Sequence, residues 1–249
     1  MKRNILIAAL MVVGGWLLMP SCNSNADKNS ALQAPETQQA AASANAEQDD
    51  KAGKATNTGL AAVADAKTAT VNNLKAASTG ETTASAKYAA YAKKAQEEGF
   101  AQIALLFKAT SKSEMIHANN HRTVLEDMGE TAPAVTPQFT VKTTQENLTD
   151  AIAGESYEIS TMYPEFMTTA NSADDQLALT SLNYAYRTEQ RHKPLYEKAL
   201  AALQNNQTST LPGQYLVCPT CGNTYDSAPP KRCRISMTPN ERFIKINSL

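Results

Sequence analysis

The sequence predicts a mostly α-helical protein whose central part is a four-helix bundle. Alanine is abundant, aromatic residues make up only 6% of the chain and glycine occurs ten times, a composition that favours helices over strands. Apolar residues in the central part recur at helical spacing. A unit of about 75 residues also occurs twice there. Two similar helical hairpins are therefore expected.

The chain begins with the features of an export signal. Lys2 and Arg3 precede the apolar run ILIAALMVVGGWLLM, which ends just before Cys22. A cysteine here is similar to the cleavage point of a bacterial lipoprotein, so residues 1–21 are predicted to be removed and Cys22 to carry lipid. An uncleaved anchor helix is the alternative, although the run is short for a membrane span. The expected location is outside the cytoplasm, anchored in a membrane.

Residues 22–66 are predicted to be a flexible tether. They are rich in small and polar residues and contain no aromatic side chain, so they cannot bury a core. Without the signal, the chain has 21 basic and 24 acidic residues, so its net charge is near −3. This charge argues against a nucleic-acid partner, because phosphates call for a basic surface.

Residues 67–205 are predicted to form the bundle. Breaks at Gly99, 129–137 and 171–175 separate the helices. The expected helices are about 67–98, 100–128, 144–171 and 175–204. Pro164 lies inside the third helix, so a kink is expected there.

Each copy of the repeat supplies one glutamate and then a Glu-x-x-His motif. Glu81 ends the segment NLKAASTGE and is followed by Glu114 and His117 in SEMIH. The second copy has Glu155 at the end of NLTDAIAGE, and TEQRH follows with Glu189 and His192. Residues three apart share a helical face, so each pair can reach one metal ion.

The two copies differ by one residue in spacing. Glu155 and Glu189 are 34 residues apart, whereas Glu81 and Glu114 are 33 apart. We expect the extra residue in the turn at 171–175.

These acidic residues are expected to bind metal. Glu158 shares the face of Glu155, which brings the set to five carboxylates and two imidazoles. Burying five carboxylates is costly unless cations neutralise them, and two bridged divalent ions would do so. A single Glu-x-x-His is common on solvated helices, but two in matched register are not. His121 has no counterpart in the second copy and is expected at the surface or beside a ligand.

The segment from NLKAASTGE to SEMIHA, the segment GESYEISTMYPEF and the C-terminal Cys-x-x-Cys resemble the rubrerythrin family over about residues 67–249. The resemblance implies a ferritin-like bundle that holds two iron ions through Glu81, Glu114, His117, Glu155, Glu158, Glu189 and His192. Glu114 and Glu189 would bridge the ions, while Glu158 and His117 would exchange on one iron with its oxidation state. Tyr88 and Tyr163 either hydrogen-bond ligand carboxylates or fill the core.

Residues 206–249 resemble a rubredoxin module that lacks its fourth cysteine. Cys218, Cys221 and Cys233 occupy three ligand positions, and Ser236 stands at the fourth. Three interpretations are possible. The module is an iron site completed by Ser236 or water, a zinc site of similar shape, or an empty module with a disulfide. Met237 offers a weaker thioether alternative.

The resemblance implies a peroxidase-type oxidoreductase that reduces hydrogen peroxide with electrons from an external, NADH- or rubredoxin-linked donor. A ferroxidase-like iron protein and a lipoprotein with a vestigial metal site are the alternatives. A homodimer is expected, because bundles of this type often pair.

Overall fold

The computed structural model describes residues 49–249, with side chains from residue 60 onward. The predicted signal, residues 1–21, and the part 22–48 of the predicted tether lie outside the described residues. Within the described part, no helix combines the length and apolar character needed to cross a membrane.

Helices form the bundle and a small antiparallel sheet forms the C-terminal module. The helices are α1 (Asp49–Glu97), α2 (Ala101–Asp127), α3 (Thr144–Tyr157), α4 (Tyr163–Ser172) and α5 (Gln176–Gln204), and a π segment, Glu158–Met162, joins α3 to α4. The strands are β1 (Tyr215–Val217), β2 (Thr224–Tyr225) and β3 (Ile244–Ile246), in the order β2-β1-β3. The predicted fold class, a mostly helical four-helix bundle with a small C-terminal module, is confirmed.

The first helix begins earlier than expected. α1 starts at Asp49 rather than near residue 67. Side chains from 60 to 69 are mostly exposed, and Thr70 is the first buried one among those described. Alanine-rich sequence favours helix even without burial, so the helix and its packed part begin at different residues.

The third helix of the bundle is interrupted by the π segment. The backbone N–H of Tyr163 donates to the carbonyl of Glu158, five residues earlier instead of four. A π turn accommodates one additional residue within a helix. Pro164 follows in the first turn of α4, where a missing N–H is tolerated. A kink was expected at Pro164; the structure has a π segment in this helix that ends at Met162, two residues before the proline.

The extra residue of the second repeat lies in this π segment and not in the turn at 171–175, so that expectation was wrong. Three residues separate α1 from α2, and three also separate α4 from α5. Glu81 lies 16 residues before the end of α1, whereas Glu155 lies 17 before the end of α4. The difference thus arises inside the helix.

Two apolar clusters fill the bundle, and an acidic layer lies between them. Large members of the first cluster are Tyr88, Phe107, Leu148 and Tyr196. Large members of the second cluster are Leu74, Leu125, Tyr163 and Leu182. Helices α1, α2, α3 and α5 each carry one glutamate at a position between the residues of the two clusters. These glutamates are Glu81, Glu114, Glu155 and Glu189. Apolar packing on both sides therefore screens this layer from solvent.

The module packs on the bundle through α2 and α5. In its sheet Leu216 pairs with Tyr225, and Val217 pairs with Ile244. The three cysteines of the module are fully buried.

Candidate metal centre

Six of the seven predicted ligands of the bundle meet in the acidic layer. Their donor atoms form two groups, and within each group the atoms lie within 4.8 Å of one another. The first group is Glu81, Glu114, His117 and Glu189, and the second is Glu114, Glu155, Glu189 and His192. Glu114 and Glu189 belong to both groups.

These two shared carboxylates each direct one oxygen toward each imidazole. In Glu189, Oε1 is 2.9 Å from Nδ1 of His117 and Oε2 is 2.7 Å from Nδ1 of His192. Glu114 repeats the arrangement, with 3.0 Å from Oε2 to His117 and 3.2 Å from Oε1 to His192. Both carboxylates therefore span two neighbouring subsites.

The two subsites have matching compositions. Oε1 of Glu81 lies 3.5 Å from Nδ1 of His117, and Oε1 of Glu155 lies 3.9 Å from Nδ1 of His192. Each subsite thus offers one imidazole nitrogen, one carboxylate of its own and the two shared carboxylates. Nitrogen and carboxylate oxygen donors of this kind suit iron and similar transition metals.

Hydrogen bonds from the module decide which imidazole nitrogen faces the acidic layer. Nε2 of His117 is 3.1 Å from the carbonyl oxygen of Cys221, which only accepts, so Nε2 carries the hydrogen. Nε2 of His192 is 3.1 Å from the hydroxyl of Thr224, which itself donates to the carbonyl of Gly222. In both neutral rings Nδ1 is therefore left with a lone pair that points at carboxylate oxygens.

This arrangement fits cations. Both oxygens of Glu114 and of Glu189 are buried without a hydrogen-bond donor, as are the Nδ1 atoms of His117 and His192. Acceptors that face acceptors in a buried layer are costly, unless a cation or a proton lies between them. Two metal ions would satisfy all of these atoms at once.

Protons compete with metal ions for the same donor atoms. Burial raises the pKa of Glu81 to about 7. Burial, together with the charge of Glu189, raises the pKa of Glu155 well above its usual value. Burial opposes a charge on His192, yet Glu114 and Glu189 raise the pKa of this imidazole to about 9. Metal binding at this site therefore releases protons.

Glu158 is the predicted ligand that stands outside both groups. It lies on the π segment and is half-buried. Burial and the charges of Glu81 and Glu189 raise the pKa of its carboxyl well above the usual value. In this structure His117, not Glu158, contributes to the first subsite.

Tyr88 and Tyr163 donate hydrogen bonds to the two unshared carboxylates. The hydroxyl of Tyr88 is 3.1 Å from Oε1 of Glu155, and the hydroxyl of Tyr163 bonds Oε1 of Glu81. Both tyrosines are also buried in the apolar clusters, so they pack the core and orient ligands together.

His121 is fully buried, so its expected surface position was wrong. Its Nδ1 is 2.8 Å from the hydroxyl of Ser181, and its Nε2 is 3.4 Å from the hydroxyl of Tyr163. Burial lowers the pKa of His121 to about 3, which keeps the ring neutral. Because Tyr163 gives its proton to Glu81, it accepts from Nε2 of His121. The sequence left a position beside a ligand open as the alternative to the surface, since the repeat supplies no second histidine for comparison.

The first knuckle of the module, residues 218–222, contacts α2 and α5 beside the predicted metal ligands. Ser113 donates to the carbonyl of Gly222 at 2.7 Å, and Thr188 donates to the carbonyl of Cys221 at 2.9 Å. Gly222 has φ +77°, and a Cβ there would lie 2.4 Å from Nε2 of His117. Sequence reasoning did not find these contacts, because serine and threonine beside a ligand carry no distinctive spacing. The one sequence feature that indicates a close approach of the backbone here is Gly222, directly after the second cysteine.

The module also gathers its own donor set. The Sγ atoms of Cys221 and Cys233 are 3.4 Å apart, and Sγ of Cys218 is 3.3 Å from Oγ of Ser236. The three cysteines are free thiols in the structure. Met237 is 61% exposed, so it does not contribute a donor.

Comparisons with known proteins agree with this geometry. The family model described as Rubrerythrin matches residues 72–200. Nigerythrin from Nitratidesulfovibrio vulgaris is 37% identical over 186 residues, which are 73% of this chain and 90% of nigerythrin. Rubrerythrin-2 from Clostridium acetobutylicum is 31% identical over 175 residues, 70% of this chain and 95% of that protein. The chain belongs to the rubrerythrin family.

Solved structures support the family at the level of the fold. The fully reduced, all-ferrous state of nigerythrin superposes with a TM-score of 0.64 and 33% identity, over 71% of this chain and 86% of nigerythrin. Desulfovibrio desulfuricans bacterioferritin reaches a TM-score of 0.54 at 18% identity, a likeness of fold alone that fits the ferritin-like bundle.

As a member of the rubrerythrin family, the protein is an oxidoreductase. Rubrerythrins hold a di-iron site, and the acidic layer of this chain supplies donors for one. The cysteine cluster supplies donors for a further metal ion.

Proposed function

We propose that the protein is a peroxidase that reduces hydrogen peroxide to water with electrons from an external donor. The observation that supports this proposal is the pair of matched subsites that share Glu114 and Glu189. The module forms hydrogen bonds with the imidazole of each subsite. Two ferrous ions held there would supply the two electrons that, with two protons, convert peroxide into two water molecules.

The residues of the chain set the conditions for this reaction. Glu114 and Glu189, which belong to both subsites, would each hold both ions, and the apolar clusters on either side of the layer exclude bulk water. Tyr88 and Tyr163 hold the unshared carboxylates in place through their hydroxyl groups. Glu158 is half-buried at the start of the π segment, three residues after Glu155, and its carboxylate would suit ferric iron better than the imidazole of His117 does.

The module is proposed to deliver electrons to the bundle. Cys221 belongs to the cysteine cluster, and its carbonyl oxygen is 3.1 Å from Nε2 of His117. The same imidazole directs Nδ1 into the first subsite. A path of covalent bonds and one hydrogen bond therefore links the two donor sets within one chain.

We also propose that the protein works outside the cytoplasm as a membrane-anchored lipoprotein. The support is the signal-like segment 1–21 and Cys22 at its end. Helix α1 begins at Asp49, and most of its side chains from 60 to 69 are exposed, which leaves this part of the helix free to serve as a spacer. We also propose that the protein is a homodimer, because bundles of this type often pair.

The test is to measure peroxide consumption by iron-loaded, anaerobically reduced protein. One peroxide is expected to oxidise both ferrous ions of a site, and added reductant should sustain turnover. Glu189→Ala should abolish both effects, because this carboxylate serves both subsites. Glu197→Ala, which removes an exposed glutamate from the same helix, is the control. Oxygen-dependent oxidation of ferrous iron without donor-linked peroxide turnover would contradict the proposal and indicate a ferroxidase.

A further inference from the structure

We propose that Ser236 is the fourth donor of a metal site made of three sulfur atoms and one oxygen atom, and that Thr238 positions its hydroxyl group. The proposal concerns the C-terminal module alone and does not depend on peroxide reduction in the bundle.

The module contains two knuckles that follow one hydrogen-bond pattern. In the first, the N–H of Gly222 donates to the carbonyl of Cys218 at 3.0 Å. In the second, the N–H of Met237 donates to the carbonyl of Cys233, also at 3.0 Å. Both donors lie four residues after a cysteine, and both have positive φ, +77° for Gly222 and +59° for Met237.

A second hydrogen bond repeats in the same way. The N–H of Cys218 donates to the carbonyl of Asn223 at 3.0 Å, and the N–H of Cys233 donates to the carbonyl of Thr238 at 2.8 Å. Each acceptor lies five residues after its cysteine. The two knuckles therefore share the same backbone hydrogen-bond pattern.

The pairing of the flanking residues completes the match. Val217, just before Cys218, pairs with Thr224, and Arg232, just before Cys233, pairs with Pro239. Both pairs join residues seven apart. The residue three after the first cysteine is Cys221, so its equivalent in the second knuckle is Ser236.

The donor atoms lie at distances that suit one ion. With metal–sulfur bonds of about 2.3 Å, tetrahedral ligand atoms are about 3.8 Å apart, and an oxygen ligand sits slightly closer. The pair Cys221 and Cys233 is at 3.4 Å, and the pair Cys218 and Ser236 is at 3.3 Å. These two pairs would need changes of only a few tenths of an ångström, and all three sulfur atoms lie within 4.8 Å of one another.

Hydrogen-bond donors surround the sulfur of Cys233, as expected for a thiolate that binds metal. The backbone N–H of Ile235 is 3.5 Å from Sγ, the hydroxyl of Tyr225 is 3.6 Å away and the amide of Asn223 is 3.8 Å away. Such contacts stabilise negative charge on a ligand and orient it.

A chain of hydroxyl groups directs the oxygen of Ser236 toward the sulfur cluster. Oγ of Ser236 is 2.9 Å from Oγ1 of Thr238, and Thr238 donates to Oγ1 of Thr220 at 2.7 Å. Since the proton of Thr238 is used in that second bond, Thr238 accepts the proton of Ser236. The lone pairs of Ser236 are then free to face Cys218.

The donor set predicts the class of ion. Three thiolates retain affinity for iron and zinc, while an oxygen donor is harder and favours the ferric over the ferrous state. If iron binds, the potential of the module should be lower than that of the same module with a fourth sulfur.

The experiment uses the reduced full-length chain and cobalt(II) as the probe ion. In a Cys22→Ser background, which removes the only cysteine of the sequence outside the module, thiolate-to-cobalt charge-transfer absorption reports the module, because the donor set of the bundle contains no sulfur. Affinity is measured by competition with a chelator. Ser236→Ala should weaken cobalt binding by at least about tenfold, by analogy with the loss of supporting ligand groups. Ser236→Cys should strengthen binding and raise the charge-transfer intensity per cobalt, because a fourth thiolate is added.

The positioning role of Thr238 is tested with two conservative substitutions. Thr238→Val, which removes only the hydroxyl, should weaken cobalt binding, and Thr238→Ser should restore it. Ser227→Ala, at an exposed serine of the same module, should change nothing. The proposal is overturned if Ser236→Ala binds cobalt with unchanged affinity and spectrum, or if Ser236→Cys leaves the intensity unchanged. Equal affinities of Thr238→Val and the unmodified protein would remove the positioning role.

Discussion

Replacing Gly222 with alanine should separate the module from the metal ligands of the bundle. The added Cβ would lie 2.4 Å from Nε2 of His117 and 2.5 Å from Oγ of Ser113, both closer than nonbonded atoms approach. Positive φ adds a further cost of roughly 1–2 kcal/mol for a residue with a Cβ. The knuckle must therefore move away from α2.

The hydrogen bonds that this movement would break set the magnitude of the effect. Bonds from His117 and Thr188 to Cys221, from Ser113 to Gly222, and between His192 and Thr224 join the knuckle to the bundle. Each of these four bonds contributes about 1 kcal/mol net, so docking should weaken by roughly 4 kcal/mol when all of them are lost.

The assay compares two rates in protein with verified metal content. Donor-linked turnover should fall at least tenfold in Gly222→Ala, while oxidation of the pre-reduced bundle by one equivalent of peroxide should not change. Gly99→Ala shares the positive φ, at +86°, but its Cβ meets nothing within 4 Å, and Gly213→Ala has open space without positive φ. Undiminished turnover in Gly222→Ala with both metal sites loaded would refute the docking and relay argument.

Three single side chains provide further predictions. Tyr163→Phe removes the hydroxyl that bonds Glu81 and should lower metal affinity in the first subsite by roughly 10–100-fold, measured by chelator competition; unchanged affinity would show that the hydroxyl does not orient this ligand. The pKa of His121 is lowered to about 3, so the unfolded chain takes up a proton below about pH 6.5 while the folded chain does not, and stability falls as pH falls. Between pH 7 and 4.5 this proton should cost on the order of 2–3 kcal/mol, and denaturant titrations of His121→Gln should show a loss smaller by that amount; equal losses would refute a buried neutral ring. Cys22→Ser should release the protein from membranes on fractionation, and continued sedimentation with them would contradict the lipid anchor.

The helices and the acidic layer were predictable because their signals are local and repeated. The duplicated Gly-Glu and Glu-x-x-His motifs define four helical positions that can face one core. The structure gathers the six side chains of these motifs into two groups, and within each group the donor atoms lie within 4.8 Å of one another. Glu158, the seventh predicted ligand, lies at the start of the π segment and belongs to neither group.

Features that depend on tertiary contact could not be read from the sequence. The π segment looks like ordinary helix, so the extra residue of the second repeat was placed in the wrong position. The start of α1 was missed because an alanine-rich helix resembles a tether in composition. Burial of His121 and the seating of the knuckle on His117 both depend on which helix faces which partner.

Anomalous diffraction at the iron absorption edge from crystals of iron-loaded protein would test the central claim most directly. Two peaks are predicted inside the bundle, each bound by Nδ1 of one imidazole, with Glu114 and Glu189 bound to both. A single peak, or coordination of His117 or His192 through Nε2, would contradict the two bridged subsites described above.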